Sequence, residues 1–174
     1  MSIQSISSLI RDIKDFPKPG IIFKDITPVL KSPEAFSEII DIMSKRYLKL
    51  KPDYVVAIES RGFIFGSALA YRLGCGIVPV RKKGKLPYST IEASYELEYG
   101  KATVEIHSDA LKKGDKVILI DDLLATGGTA GAAIKLIEKL GSEILGIEFL
   151  IELAFLKGRY NLSNYPINSI VVVE

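Results

Sequence analysis

At 174 residues the chain is about the size of one ordinary domain, and 48% apolar with 25% charged residues is the composition of a folded core, which excludes a disordered polymer. Its 23 basic and 21 acidic residues leave a net charge of +2, so no global field favours long nucleic acid or an anionic membrane, and an anionic ligand must be held locally. The single cysteine, Cys75, excludes an intramolecular disulfide and a multi-thiolate metal site, and fits a reducing, cytoplasmic setting.

In chain order, residues 1–16 lack the basic head, apolar core and small-residue cleavage site of a signal peptide. Residues 11–31 are rich in proline and charge and read as an irregular segment outside the regular core. Ser32 can cap a helix with Pro33 at its first position, and Phe36, Ile39, Ile40, Met43 and Tyr47 follow at helical spacing. Residues 54–58, YVVAI, read as a strand buried on both faces, followed by a helix over 62–73. Residues 77–80 form a second buried run, which Pro79 pushes towards a strand end or sheet edge.

Residues 81–100 combine basic residues with Gly84, Pro87, Tyr88, Tyr95 and Tyr99, and read as a long irregular binding loop. In the following KATVEIH, Ala102, Val104 and Ile106 alternate with polar residues as on a half-buried strand, which turns His107 to solvent and gives it no catalytic part. KVILI at 116–120 is the strongest strand. Ala130, Ala133, Ile134, Ile137 and Leu140 mark one face of a helix that Gly141 can end, and a buried strand starts at Ile144. Glu148 and Glu152 interrupt that last apolar run, so it does not read as a membrane span. Strand and helix alternate from Tyr54 onward, which predicts one α/β domain with a mainly parallel sheet flanked by helices.

The chemistry concentrates where the strongest strand delivers Asp121 and Asp122 and a loop of small residues opens into a helix. Ala125, Thr126, Gly127, Gly128 and Thr129 offer unobstructed backbone N–H groups, two hydroxyls and a positive helix end, which suit a terminal phosphate. No lysine follows the glycines and G-x-G-x-x-G is absent, so neither a Walker loop nor a dinucleotide fingerprint is present. Two carboxylates would repel the phosphate itself but accept well from the vicinal hydroxyls of an attached ribose. Alone, the pair would also fit a plain helix-start signal. After the first buried strand, Glu59, Ser60, Arg61 and Gly62 stand between strand and helix. If both strands are parallel, both loops share one sheet edge, and Arg61 can meet a second anionic group of the same substrate. Arg81, Lys82, Lys83 and Lys85 add cation density, although RKKGKLP by itself could be a solvated basic turn. A molecule with a ribose phosphate and a second phosphate group is phosphoribosyl pyrophosphate (PRPP).

These residues resemble the type I phosphoribosyltransferases, whose PRPP signature is a buried strand, two acids and a small-residue loop ending in threonine, as at residues 117–129. DFPKPGIIFKDITPVL at 15–30, ESRGFIFG, RKKGKLP, ASYELEYGKA and LKGR at 156–159 look like the adenine-specific branch, in order along nearly the whole chain. The resemblance implies a hood at about 1–31 and a flexible lid at about 82–100. It implies that Phe23 stacks on adenine, that Leu156 covers the other face and that main-chain groups of Ile22 and Lys24 read the polar edge. Glu98 is the group chosen for proton handling at the purine. Pyrophosphate would meet Glu59, Ser60, Arg61, Arg81, Lys82 and Lys85, with Mg2+ held by substrate and water rather than by protein ligands. A homodimer is implied, with no nucleic-acid or membrane partner. Tyr88 stands where the family usually has glycine. The nearest rival is an enzyme for 6-oxopurines, which PKPGIIFKDIT argues against; a non-catalytic PRPP sensor on nucleic acid would need a DNA-reading segment that the chain lacks.

Overall fold

The computed structural model describes residues 2–97 and 100–174, in two compact units, Met1–Ile42 and Met43–Glu174. In the first, Ser2 caps α1 (Ile3–Leu9) by accepting from the Ser5 amide. Strands β1 (Arg11–Lys14) and β2 (Ile22–Asp25) then pair antiparallel, with Arg11 opposite Asp25 and Asp12 opposite Lys24. Both pairs are cross-strand ion pairs at 2.7 Å. Exposed pairs of this kind contribute roughly 0–1 kcal/mol, so their main effect here is to specify register.

Residues 11–31, expected to be irregular, are therefore a hairpin followed by α2 (Thr27–Lys31). Pro17 and Pro19 fall in the connecting loop, where they break no ladder, and that loop is closed by the Gly20 amide donating to Asp15 Oδ1 at 2.8 Å. Phe16 stands edge-on to Phe23, with ring centroids 5.2 Å apart. Helix α3 (Pro33–Lys45) starts as read from the sequence, with the Ala35 amide donating to Ser32 Oγ at 3.2 Å. It stops short of Tyr47.

The second unit holds a seven-stranded sheet in the order β5 (Thr90–Glu96), β6 (Lys101–His107), β4 (Gly76–Lys82), β3 (Tyr54–Ile58), β7 (Lys116–Leu124), β8 (Glu143–Leu153) and β9 (Ile167–Val173). The five neighbouring strands β4, β3, β7, β8 and β9 run parallel, and β6 and β5 add an antiparallel hairpin at one edge. Helix α4 (Gly62–Leu73) connects β3 to β4, and α5 (Gly128–Leu140) connects β7 to β8 and ends on Gly141 with positive φ. Val55, Val56, Ala57, Ile118, Leu119 and Ile120 are fully buried, as an uninterrupted apolar run in a parallel sheet requires. Among the described residues no helix is long and apolar enough to cross a membrane.

The structure corrects four further expectations. Residues 81–100 are not irregular throughout: β4 runs on to Lys82, and β5 pairs with β6 from Thr90↔His107 to Glu96↔Lys101. Pro79 lies in a strand interior to the sheet. It is tolerated because β6 reaches β4 only at Arg81 and Lys82, so at Pro79 only the β3 side is paired. Strand β7 continues four residues past Ile120, carrying both aspartates inside the strand. His107 is half-buried rather than turned fully to solvent: its Nε2 is buried without a partner among the described residues, and the Tyr88 ring stands edge-on to it at 6.1 Å.

One polar cluster lies in the core of this unit. Glu148 on β8 is fully buried and accepts from the Tyr47 hydroxyl at 2.7 Å, Asn168 Nδ2 at 2.9 Å and the Arg46 guanidinium at 2.8 Å. Burial outweighs these partners and pushes its carboxyl from 4.5 up to about 7. A folded-state value above the unfolded one means that its contribution to stability is fully present below the unfolded value and is lost as pH rises through about 7. Glu148→Gln cannot titrate, so its melting temperature should gain on wild type between about pH 5 and about pH 8, by on the order of 1–3 kcal/mol in relative stability. A difference constant across that range, measured by thermal unfolding, would refute the assignment.

Candidate active site

Strands β3 and β7 are parallel neighbours, so the loops that follow them open on the same end of the sheet. Between them lies a cleft of 560 Å³ bordered by Glu59, Ser60, Arg61, Lys82, Lys85, Tyr95, Asp121, Asp122, Leu123, Ala125 and Thr129. Two loops more than fifty residues apart in sequence, and the basic end of β4, thus share one cavity. A smaller recess of 60 Å³, enclosed by Asp121, Phe149 and residues 123–130, adjoins it. Gly127 takes positive φ at the start of α5, and no side chain caps that helix. Its first amides are left available to a ligand's oxygen atoms.

The carboxylates are arranged asymmetrically. Asp122 is buried and pairs with Arg61, Nε to Oδ2 at 2.9 Å, whereas Asp121 is partly buried and accepts from the Asp122 amide at 2.8 Å. Burial raises both carboxyls above the ordinary range; the charge of Asp122 raises Asp121 further, while Arg61 opposes the shift at Asp122. A pair this costly to ionise is relieved by a cation or by hydroxyl donors brought between them.

Glu59 borders the cleft, and its carboxylate is turned to the basic end of β4. Its carboxylate accepts from Arg81 Nε and from the Lys82 amide, both at 2.8 Å, so it fixes the basic end of β4. Burial pulls that carboxyl up, but the Lys82 amide and Arg81 win and hold it below its usual range. Arg81 turns to Glu59 and to the Lys85 carbonyl and does not border the cleft, whereas among the described residues the Lys82 and Lys85 ammonium groups have no carboxylate partner. Glu98 lies outside the described residues. Ile22, Phe23 and Lys24 form β2 of the first unit, where the Lys24 ammonium is held by Asp12. Leu156 ends a short 3-10 helix of the second unit and is 39% exposed.

Several residues hold the site in place through contacts that the sequence does not show. Glu105, read as an outward polar residue of β6, is buried and accepts from the Lys85 and Leu86 amides at 3.0 and 2.9 Å, which fixes the turn bearing Lys85. Gly158 opens a second 3-10 helix, Gly158–Leu162, and lies so close to the phosphate-type loop that a β-carbon would overlap the Ala125 carbonyl oxygen. Asn161 of the same helix donates to the Thr126 carbonyl at 2.9 Å.

Comparison with known proteins agrees with this layout. Residues 25–171 match the phosphoribosyl transferase domain. An adenine phosphoribosyltransferase of Acetivibrio thermocellus is 56% identical over 167 residues, 95% of this chain and 98% of that protein. The crystal structure of the Thermoanaerobacter pseudethanolicus adenine phosphoribosyltransferase superposes with a TM-score of 0.95 at 52% identity, covering 99% of this chain and 100% of that one. The Saccharomyces cerevisiae enzyme, complexed with adenine and an imino-altritol bisphosphate, does so at 0.92 and 42% identity over 97% of each chain. With a parallel sheet that carries paired acids and a helix-start loop at one end, and with relatives matching from end to end, the chain belongs to the type I phosphoribosyltransferase family, in its adenine phosphoribosyltransferase branch.

Proposed function

We propose that the protein transfers ribose 5-phosphate from PRPP to adenine, giving AMP and pyrophosphate. The observation that carries this reading is the shared cleft. One cavity offers an amide-lined recess for the 5-phosphate, two carboxylates beside it, and Arg61, Lys82 and Lys85 for a second phosphate group. The Ala125–Thr129 loop holds the 5-phosphate, and the ribose hydroxyls donate to Asp121 and Asp122. As the bond from the anomeric carbon to pyrophosphate breaks, positive charge grows on the ribose and the two carboxylates stabilise it. N9 of adenine attacks that carbon and loses its proton to Glu98. No residue needs to form a covalent intermediate; fixed charge and positioning supply the rate.

The donor set also suits magnesium. Among the described residues no group of three His, Cys, Asp or Glu converges, and two adjacent carboxylates facing a phosphate cleft fit an ion that keeps water and substrate oxygens as its main ligands. Asp121 and Asp122 would face that ion, which when bound neutralises charge on the leaving pyrophosphate. By resemblance, the Phe23 ring stacks on the base, the main chain at Ile22 and Lys24 reads its edge, and Leu156 supplies an apolar contact. The same resemblance carries a homodimer in the cytoplasm. A backbone acceptor facing the exocyclic amine would oppose the oxygen of a 6-oxopurine, an unpaired buried contact that costs roughly 1–3 kcal/mol. Incubation with PRPP, Mg2+ and each base in turn should therefore give AMP from adenine about 5–150-fold faster than IMP from hypoxanthine; equal rates would overturn the adenine reading.

A further inference from the structure

The turn from Lys82 to Leu86 carries the two lysines that border the cleft, and carboxylates from outside it hold both its ends. At its start the Lys82 amide donates to Glu59 Oε1 at 2.8 Å. At its close the Lys85 and Leu86 amides both donate to Glu105 Oε1, at 3.0 and 2.9 Å, and the Thr90 hydroxyl lies 3.4 Å from Oε2. Between them the Lys85 amide also reaches the Lys82 carbonyl at 3.2 Å, Gly84 takes the positive φ of the reversal, and Arg81 Nη1 donates to the Lys85 carbonyl at 3.1 Å. Both peptide groups of Lys85 are thus fixed. Glu105 stands between Val104 and Ile106 and is 4% exposed, a place where an apolar side chain would avoid the cost of burying a charge. Burial pulls its carboxyl up, but the Leu86, Gly84 and Lys85 amides win and hold it below its usual range.

We infer that Glu105 is a positioning residue for the pyrophosphate end of PRPP, which sets the turn that presents Lys85 to the cleft before PRPP arrives. This rests on the proposed role of Lys85. Glu105 itself does not border the cleft, so it acts through the turn. A lysine on a free turn loses backbone as well as side-chain freedom when it meets a phosphate, and that ordering is subtracted from affinity. With its backbone already fixed, Lys85 has its side chain alone to order. The reach of the carboxylate matters more than its charge, because its partners at Oε1 are two backbone amides. Glu105→Gln keeps an oxygen at that reach and turns its NH2 to the Thr90 hydroxyl, which can accept. Glu105→Asp keeps the charge but is one methylene too short.

The test is calorimetric binding of inorganic pyrophosphate with Mg2+, beside KM for PRPP and for adenine, in Glu105→Asp, Glu105→Gln, Lys85→Ala and the Glu105→Asp/Lys85→Ala double variant. Glu105→Asp should weaken pyrophosphate about 3–10-fold, the scale of ordering a long side chain and its turn, and raise KM for PRPP alike while KM for adenine moves less than about twofold. Glu105→Gln should bind within about twofold of wild type. In the Lys85→Ala background Glu105→Asp should add less than about twofold, since residues acting through one contact do not add. In the wild-type protein the Lys85 and Leu86 amides should resist hydrogen exchange before any ligand is added. Wild-type affinity in Glu105→Asp, as large a loss in Glu105→Gln, an equal rise in KM for adenine, losses that multiply in the double variant, or amides that exchange freely until pyrophosphate binds would each overturn the role of Glu105. Pyrophosphate binding that Lys85→Ala leaves at the wild-type level would instead remove Lys85 from the pyrophosphate site, and the inference with it.

Discussion

Asp121→Asn and Asp122→Asn should each lower AMP formation about 10²–10³-fold, the scale on which removal of one preorganised group that faces transition-state charge is felt. Neither change should lower the melting temperature at neutral pH. Both carboxyls are raised above their ordinary value by burial, so each ionised form costs the folded state stability once pH exceeds its folded-state value. A neutral amide removes that cost. In Asp121→Asn the new side chain keeps an oxygen to accept from the Asp122 amide, which preserves the local backbone. In Asp122→Asn the lost attraction to Arg61 offsets part of the gain. Kinetics with PRPP and adenine, alongside thermal unfolding at about pH 7.5, would decide the point. A variant that turns over like wild type releases that residue from the ribose role, and one that is inactive only because it melts earlier shows a structural role.

Gly158→Ala should be nearly as damaging by a different route. Its new methyl group would overlap the Ala125 carbonyl oxygen, and Thr126 also lies against it, so the loop or the 3-10 helix must shift. Overpacking of this kind costs typically about 1–3 kcal/mol of stability. The loop's amides are the groups proposed to hold the 5-phosphate, and a displacement of about 1 Å there can cost 10²-fold. KM for PRPP should rise and the melting temperature should fall together. Wild-type KM with an unchanged melting temperature would mean that the contact yields easily and that the loop is positioned by other groups, Asn161 first among them.

The parts of the fold that repeat a simple period were legible in the sequence. YVVAI, the helix at 62–73 and the α5 face ending on Gly141 stand where apolar run length and capping residues put them. So was the sharing of one sheet end by the loops after β3 and β7, because parallel neighbours bring the loops that follow them to the same edge. Residues 11–31 and 81–100 misled because proline, glycine and charge were read as signs of irregular chain. The prolines at 17 and 19 sit in a loop, and the charges pair across strands or turns, as Arg11 does with Asp25 at 2.7 Å and Lys83 with Glu92 at 2.8 Å. Glu105 could not be read at all. A polar residue flanked by Val104 and Ile106 on an alternating strand looks outward, and its burial is justified only by the Lys85 and Leu86 amides, some twenty residues away. Asn161 is hidden likewise, since its partner is the Thr126 carbonyl, and Gly158, though part of the LKGR match, gives no sign in the sequence of its contact with the Ala125 carbonyl.

The placing of β5 at the rim of the sheet has a consequence for how the molecule behaves in company. One side of the strand carries Ile91, Ala93 and Tyr95 towards the core, and the other carries Glu92, Ser94 and Glu96 outward. A rim strand exposes a row of unsatisfied amides that any other strand could join, and crowding or a slow refolding step makes such pairing more frequent. Two copies that met along this rim would have to take Glu92 and Glu96, with their partners Lys83 and Lys101, out of water, which opposes the contact. The same seven residues therefore adhere to their own helix and discourage adhesion between molecules, and the alternation that lets one strand do both is lost if its register slips by a single residue.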